Sequence, residues 1–409
     1  MKKIWIVNHY ATPPSMGGLT RHHYFAKYLN KQYDIKLVAS SAIHNSKINM
    51  IEGSNLYEEK KVDGVNYIYI KTSQYDNKIK RIINMVQYYF RGKRVLKKLD
   101  KPDLIYTSTP QPLSALLALK IAKKFHIPCI VETRDLWPET IVSFGMIRRN
   151  GLIAKLMYQL EKKIYLNADK IVFTMEGGID YLKERKYASK IDFSKVYHLN
   201  NGADLAKISV DAKKNKVKDS DLDDKNTFKV VYTGSIRFAY KLDLVVELAK
   251  KIQETKNNKI RFLIYGDGPY REELIKKCRD EKINNIIFKG FMDAKYIPYI
   301  MTKCDLALLH GVNHSVFKYG TSQNKMFTYL SAGKPIISTF PNKYDLITRY
   351  GCGKTLEPDD IDEYVKTVLF FYNLKKDEYN KYCENSSKLA KEYDYAVLSE
   401  KLKKIIEEW

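Results

Sequence analysis

The sequence predicts an α/β protein of two domains, each built on a doubly wound parallel sheet. Three observations carry that expectation. Short apolar runs of strand type alternate with amphipathic helical stretches along the whole chain, and the alternation restarts after a polar stretch at residues 211–227. Several runs, such as Ile127–Thr133 and Ile336–Thr339, show no polar face, as expected of strands covered on both sides. Glycines recur where a strand gives way to a helix, the edge at which such sheets bind ligands. With 409 residues, the chain can close two full hydrophobic cores.

The first half begins with a strand at Ile4–Val7, followed by a loop holding Pro13, Pro14, Gly17 and Gly18. Thr20 is placed to cap a helix that includes Tyr24, Phe25 and Leu29. Arg21-His22-His23, at its start, read as solvated. Strands follow at Ile35–Ala39, Tyr67–Ile70 and Leu104–Ser108, the last stopping before Pro110. Helices are expected at Leu113–Phe125 and Leu152–Leu166, with strands at Ile127–Thr133 and Lys170–Thr174. This order implies a wholly parallel sheet. Asn201-Gly202 marks a turn, and residues 211–227, almost wholly polar, read as a mobile surface loop.

The second half repeats the plan. Strands are expected at Phe228–Tyr232, Arg261–Tyr265, Ile286–Lys289 and Leu306–Leu309, and helices at Leu242–Gln253, Glu272–Arg279 and Ile361–Tyr372. A final helical pattern fills most of Asp377–Trp409.

The net charge of +24 is uneven: residues 1–205 carry 34 Lys and Arg against 18 Asp and Glu. It is densest in Tyr75–Lys98, where Lys78, Lys80, Arg81, Arg91, Lys93, Arg94, Lys97 and Lys98 face one acid, Asp76. Ile82, Ile83, Met85, Val86, Tyr88, Tyr89 and Phe90 lie between the two basic clusters. A helix of this kind suits an anionic membrane surface, each basic residue adding ~1 kcal/mol. The alternative is a solvated helix packed on its own domain. Gly145-Met146-Ile147-Arg148-Arg149 has the same mixed character. No nucleic-acid motif accompanies the charge, so nucleic acid is set aside as a partner. The start of the chain lacks a signal-type apolar core, no run approaches the ~20 apolar residues of a membrane span, and the five cysteines are scattered. The chain therefore reads as cytosolic with reduced thiols and no metal site.

Three strand-to-helix loops hold the chemistry: Thr233-Gly234-Ser235, Gly266-Asp267-Gly268-Pro269, and the segment Phe317–Ile337 with its Gly320-Thr321-Ser322 loop. Each would place open backbone N–H groups at one sheet edge, where the helix dipole adds positive charge. Arg237, Lys241 and Lys325 bring cations to the same edge. That much positive charge is stable only around an anion, and a diphosphate fits. An ordinary strand–helix crossover is the alternative for Phe317–Ile337.

In this order the motifs resemble a bacterial family 4 glycosyltransferase. They are Gly17-Gly18, Asp135-Leu136-Trp137-Pro138, Asn201-Gly202-Ala203-Asp204, Thr233-Gly234-Ser235 with Lys241, Gly266-Asp267-Gly268-Pro269, and Asn324-Lys325-Met326-Phe327 up to Gly333-Lys334-Pro335. The nearest branch builds O-antigen or capsule and often moves N-acetylated amino sugars. The resemblance implies a GT-B fold, two Rossmann-like domains facing a central cleft, with boundaries at 1–205 plus about 390–409 and at 206–389. The first domain, with a returning C-terminal helix, would bind the acceptor and the second the nucleotide sugar. It implies retaining, metal-independent transfer, without a cofactor, from a UDP-sugar to a polyprenyl-diphosphate-linked saccharide. The enzyme would then sit peripherally on the inner face of the cell membrane.

Carried over residue by residue, the catalytic set is Asp135, Arg237 and Lys241. The donor set is Gly17, Gly18, Gly234, Ser235, Gly266, Ser322, Asn324, Lys325 and Thr328. Acceptor or membrane contacts are His9, Lys78, Lys80, Arg81, Arg91, Lys93, Arg94, Arg148 and Arg149. Two positions depart from the family pattern: Ser235 stands where an arginine is common, leaving Arg237 to supply that charge, and Thr328 stands where a glutamate grips the ribose. Asp135 has a second reading as a helix cap, His9 as a packing residue and Glu132 as a satisfied core-edge carboxylate. Competing functions are a UDP-sugar epimerase and a non-catalytic membrane-associated subunit.

Overall fold

The computed structural model describes residues 1–409 except Pro110, Ala188, Asn313 and Trp409. The expected stop at Pro110 and the end of the last helical pattern at Trp409 thus lie outside the described residues. The chain divides into two compact units, one of residues 1–200 with 395–409 and one of residues 201–394.

The first unit runs β1 (Lys3–Val7), α1 (Arg21–Leu29), β2 (Asp34–Ser40), β3 (Tyr57–Val62), β4 (Val65–Ile70), α2 (Lys78–Leu96), β5 (Leu104–Ser108), α3 (Pro112–Phe125), β6 (Cys129–Thr133), α4 (Glu139–Ser143), α5 (Leu152–Asn167), β7 (Lys170–Phe173), α6 (Gly178–Glu184) and β8 (Val196–His198). Its eight strands are ordered β3-β4-β2-β1-β5-β6-β7-β8. The pairings are parallel except one. β3 runs antiparallel to β4, with Tyr57 opposite Ile70, which corrects the expectation of a wholly parallel sheet. The hairpin turns at Asp63-Gly64, whose φ values of +48° and +83° suit the twist of a two-residue connection. Strand order reverses at β1, which lies between β2 and β5.

The second unit runs α7 (Leu205–Lys214), α8 (Ser220–Asp223), β9 (Phe228–Thr233), α9 (Asp243–Glu254), β10 (Ile260–Tyr265), α10 (Arg271–Asp280), β11 (Ile286–Gly290), α11 (Ile297–Lys303), β12 (Leu306–Leu309), α12 (Asn324–Ser331), β13 (Ile336–Ser338), α13 (Leu346–Arg349), β14 (Gly353–Thr355), α14 (Ile361–Asn373) and α15 (Lys376–Glu392). Its six strands are all parallel, ordered β11-β10-β9-β12-β13-β14, and reverse at β9. One core, with Val230, Ile252 and Phe262, fills one face of the sheet. The other, with Val231, Met301 and Tyr329, fills the opposite face. Neighbouring residues on a strand point to opposite sides, so Val230 and Val231 divide between the two.

Residues 211–227 are not the mobile loop that their polarity suggested. They contain the end of α7 and all of α8. The Asp219 carboxylate caps α8 by accepting from the Asp221 and Leu222 amides. Lys289 donates to Asp219 and Asp221 at 2.6 Å each. Charge satisfied within the segment replaces the missing apolar pattern.

The last helix, α16 (Tyr395–Glu407), belongs to the first unit and packs on α1. Tyr395 stacks on Tyr24 at 4.9 Å and meets Phe25 edge-on at 5.8 Å.

Candidate active site

In the second unit, β9 ends at the strand-order reversal, where adjacent connections leave in opposite directions and open a crevice. Gly234 follows β9 with φ +145°, and Gly266 follows β10 with φ +159°. The two loops lie backbone against backbone. A Cβ on Gly266 would stand 1.8 Å from the Gly234 carbonyl oxygen, and one on Gly268 would stand 2.1 Å from that of Ile236. Only hydrogen fits at either place.

Helix α12 delivers Lys325 to this point. Tyr329, one turn further on, accepts a hydrogen bond from the Thr233 amide at 2.9 Å, which pins α12 to the last residue of β9. Residues four apart share a helix face, so Lys325 is carried toward Gly234. Its Nζ lies 3.2 Å from where a Gly234 Cβ would be, and 4.6 Å from the centre of the Tyr232 ring. Burial lowers the Lys325 pKa to about 8. Among the described residues no carboxylate pairs with it. The α12 cap residue, Gln323, makes no side-chain capping bond. A partly desolvated ammonium, a bare glycine and an open helix start make a site for an anion.

The other expected donor residues divide. Ser235 is exposed beside Gly234, Asn324 is exposed at the start of α12, and Thr328 is partly exposed on it. Ser322 is taken up by Asn201: its Oγ accepts from the Asn201 amide at 2.9 Å, and its carbonyl accepts from Asn201 Nδ2 at 2.6 Å. Arg237 is exposed before a short 3-10 turn. Lys241 closes that turn at φ +47°, and its carbonyl accepts from His310 Nε2 at 3.0 Å. Its ammonium lies 3.7 Å from Asp359. Gly234, Gly266 and Lys325 therefore converge by direct geometry, whereas Lys241 reaches the same sheet edge through His310, just past β12.

In the first unit, Gly17 and Gly18 take φ +70° and +82°, in a loop where Thr12 Oγ1 donates to the Gly17 carbonyl at 2.5 Å. His9 is buried. Its Nε2 donates to Asn84 of α2 at 2.6 Å, and burial lowers its pKa to about 3, so it is a neutral, packed group. Asp135 is exposed just past β6; the cap of α4 is Pro138, so Asp135 does not have that role.

A Glycosyltransferase Family 4 model matches residues 16–207, and a Glycosyl transferases group 1 model matches residues 213–392. The chain carries two glycosyltransferase domains. No curated protein matches it in sequence. Among solved structures, the glycosyltransferase resembles Anabaena Alr3699/HepE in complex with UDP and glucose, at 13% identity and TM-score 0.66, with both chains fully covered. It resembles WaaG, a glycosyltransferase involved in lipopolysaccharide biosynthesis, at 15% identity and TM-score 0.66, again with both chains fully covered. It also resembles the trehalose-6-phosphate protein from E. coli bound with UDP-2-fluoro glucose, at 10% identity and TM-score 0.70, over 100% of this chain and 99% of that one. At these identities the likeness establishes the fold, which is GT-B.

Helix α2 of this glycosyltransferase has two apolar sides. Tyr88, Val95 and Leu96 point inward. Ile79, Ile82, Ile83, Val86 and Phe90 point outward, with Ile79 73% and Phe90 62% exposed. Of the expected basic contacts, Lys78, Lys80, Arg94 and Arg148 are exposed, and Lys93 is partly so. Lys80 pairs with Asp76 at 2.9 Å. Arg81 donates to Tyr10 at 3.0 Å and Arg91 to the Lys71 carbonyl at 2.8 Å. Arg149 forks onto the buried Glu139, at 2.5 and 3.0 Å. Those last three are engaged within their own unit. Among the described residues, no helix is long and apolar enough to cross a membrane.

Sequence reasoning missed Tyr232, Tyr329 and His310 as supports of the site. Tyr329 had a signal, its spacing of four from Lys325. Tyr232 is positioned by strand pairing and His310 by following β12, and neither shows in the local sequence.

Proposed function

We propose that the protein is a retaining, metal-independent glycosyltransferase. It would move a sugar, an N-acetylated amino sugar by resemblance, from a UDP donor to a polyprenyl-diphosphate-linked saccharide. The setting would be O-antigen or capsule synthesis at the inner face of the cell membrane. The observation that carries this reading is Lys325, half-buried beside Gly234 without a carboxylate partner among the described residues. The HepE and E. coli structures of the same fold hold UDP or a UDP-sugar, which supports UDP as the donor nucleotide. Glycosyltransferase domains along both units favour transfer over epimerisation.

The chemistry follows from charge. The slow event is departure of the nucleotide diphosphate as the sugar becomes oxocarbenium-like. Lys325 and the start of α12, beside the bare Gly234 backbone, would receive the growing negative charge. Arg237 and Lys241 would add to it from the neighbouring turn. Fixed cations of this kind stabilise charge that develops in the transition state without needing to reorganise. In a front-face route the departing phosphate takes the acceptor's proton, so no strong protein base is needed. By resemblance, Asp135 would act in catalysis and Gly17 and Gly18 in binding the donor, and Thr328 would approach the ribose from α12. The exposed apolar face of α2, flanked by Lys78, Lys80, Lys93 and Arg94, would rest on anionic lipid.

A thermal-shift screen with UDP-, GDP-, ADP- and TDP-sugars tests the donor site, because a ligand that binds the folded state raises its stability by mass action. A rise with UDP-sugars that is lost in Lys325→Met is expected. No rise with any of the four would remove the reading.

A further inference from the structure

Arg134 directly follows β6, at the edge of the first sheet where ligands of such folds bind. Its backbone is fixed from the next strand: Thr174, the residue after β7, donates through Oγ1 to the Arg134 carbonyl at 3.1 Å. Its side chain is half-buried, and Nε and Nη1 are closed from solvent without a hydrogen-bond partner. Among the described residues no carboxylate pairs with it. A guanidinium in this state has lost water without gaining an acceptor, which is costly to the fold.

The acids nearest in sequence do not answer it. Glu132, two residues back, already accepts from Arg21 Nε at 3.1 Å, from Ser108 Oγ at 3.2 Å and from the Tyr106 hydroxyl, with His22 Nε2 at 3.4 Å. Asp135, next in the chain, is exposed and makes no bond to Arg134. Arg134 nevertheless stands close to the Glu132 group. Burial lowers the His22 pKa, Glu132 opposes that, and the charge on Arg134 adds to the lowering. Two guanidiniums thus gather at one buried carboxylate, and only Arg21 is bonded to it. The charge of Arg134 is left over. Arg21 and His22 belong to the first turn of α1, so that nine-residue helix starts at the same place, and its cap residue Thr20 makes no side-chain bond. A spare guanidinium beside an uncapped helix start suits a phosphate oxyanion, which a planar donor set can hold by two bonds at once.

We propose that Arg134 is an anion-binding residue of the first unit and that it takes a diphosphate. The source of that group rests on the lipid-linked acceptor reading: it is the head of the acceptor, bound separately from the donor diphosphate at Lys325. Arg134 would then fix the acceptor by its charged end, one residue away from Asp135.

Calorimetry on the full-length protein, kept saturated with UDP so that the Lys325 site is filled, tests this. Inorganic diphosphate and farnesyl diphosphate are the titrants, and Arg134→Met and Arg134→Lys are the variants. Both titrants should bind the wild type. Their Kd should rise at least about tenfold in Arg134→Met, as the loss of charge-assisted bonds requires. Arg134→Lys should recover part of the affinity, since it keeps the charge and loses the planar fork. UDP affinity should be equal in all three proteins. The melting temperature of Arg134→Met should rise by about 2–4 °C, because a cation without an acceptor is removed; an arginine that only supports the fold would lower it. Binding of inorganic diphosphate alone, still dependent on Arg134, keeps the site, makes free phosphate its source and speaks against the lipid-linked reading. Equal affinity for both titrants in wild type and Arg134→Met, or no binding of either by the wild type, would overturn the assignment and leave the donor reading standing. A parallel loss of UDP affinity in Arg134→Met would also overturn it, since Arg134 would then serve the donor.

Discussion

Arg21 and Glu132, distant in sequence, meet at 3.1 Å with both side chains closed from solvent. The guanidinium also donates to the Leu199 and Asn200 carbonyls at 2.7 and 2.5 Å. It thereby ties the first turn of α1 to the end of β6 and to the residues that follow β8. Burial alone would raise the Glu132 pKa, but Arg21, His22 and Arg134 hold it well below the usual carboxylate range. A carboxylate depressed in the folded state adds stability above its unfolded pKa, and that stability is lost as pH falls through the folded value. Arg21→Ala takes the guanidinium from a buried carboxylate that keeps only the Tyr106 and Ser108 hydroxyls and the His22 ring beside it, so unfolding of the first unit should become easier by ~3 kcal/mol at neutral pH. Urea denaturation measures this, and Arg21→Ala together with Glu132→Gln should recover part of the loss.

Gly266→Ala places a methyl group 1.8 Å from the Gly234 oxygen. The two loops cannot both keep their positions. A loss of ~2–4 kcal/mol in the second unit is expected, together with weaker UDP binding. Native-like UDP affinity in this variant would show that the loops do not form the site.

Lys325 sets a pH dependence with a definite sign. With its folded pKa at about 8 and an ordinary value of 10.5, the unfolded chain binds more protons between those values. Stability therefore rises with pH across that window. A bound diphosphate favours the ammonium form and pulls the pKa back up. UDP affinity should decline above about pH 8, and binding at pH 9 should take up protons. Calorimetry in two buffers of different ionisation enthalpy reads the uptake directly, and Lys325→Met should abolish it.

Arg237→Ala and Lys241→Ala should each lower kcat/KM about thirtyfold, which corresponds to ~2 kcal/mol of transition-state stabilisation. Both residues are exposed, so melting temperatures should hold. Undiminished turnover in both variants would exclude them from the leaving-group site.

The outward face of α2 can be tested without touching its inward one. Replacing Ile79, Ile82 and Phe90 by serine removes exposed apolar groups, each worth ~1 kcal/mol or more when buried in lipid. Sedimentation with phosphatidylglycerol vesicles should drop at least tenfold. High salt should release only part of the wild type, since salt screens the lysines and not the apolar face.

The doubly wound plan was legible because buried parallel strands are short apolar runs between Gly and Pro. β5 and β12 lie at the boundaries expected from sequence, and most other strands end within two residues of them. β3 was not legible. Its Tyr-Glu-Glu-Lys-Lys-Val is an edge strand with little buried on either side, so it has no alternation to read. The Asp63-Gly64 turn was the signal for it. Arg21-His22-His23 were expected in solvent, yet all three are buried, because their partners lie elsewhere in the chain. Thr20 makes no side-chain cap to α1. At the candidate site the glycines could be read locally, since each marks a backbone conformation. The approach of Lys325 to Gly234 could not, since it depends on Tyr329 reaching the end of β9.

The return of α16 to the first unit makes residues 201–394 an insertion within it. Near its two ends, the Ala203 amide donates to the Tyr393 carbonyl at 3.1 Å. A continuous gene fragment for 201–394 would thus encode a whole body whose entry and exit lie side by side. The remainder could be rejoined from residue 200 to residue 395 with a short spacer, allowing each half to be isotopically labelled separately.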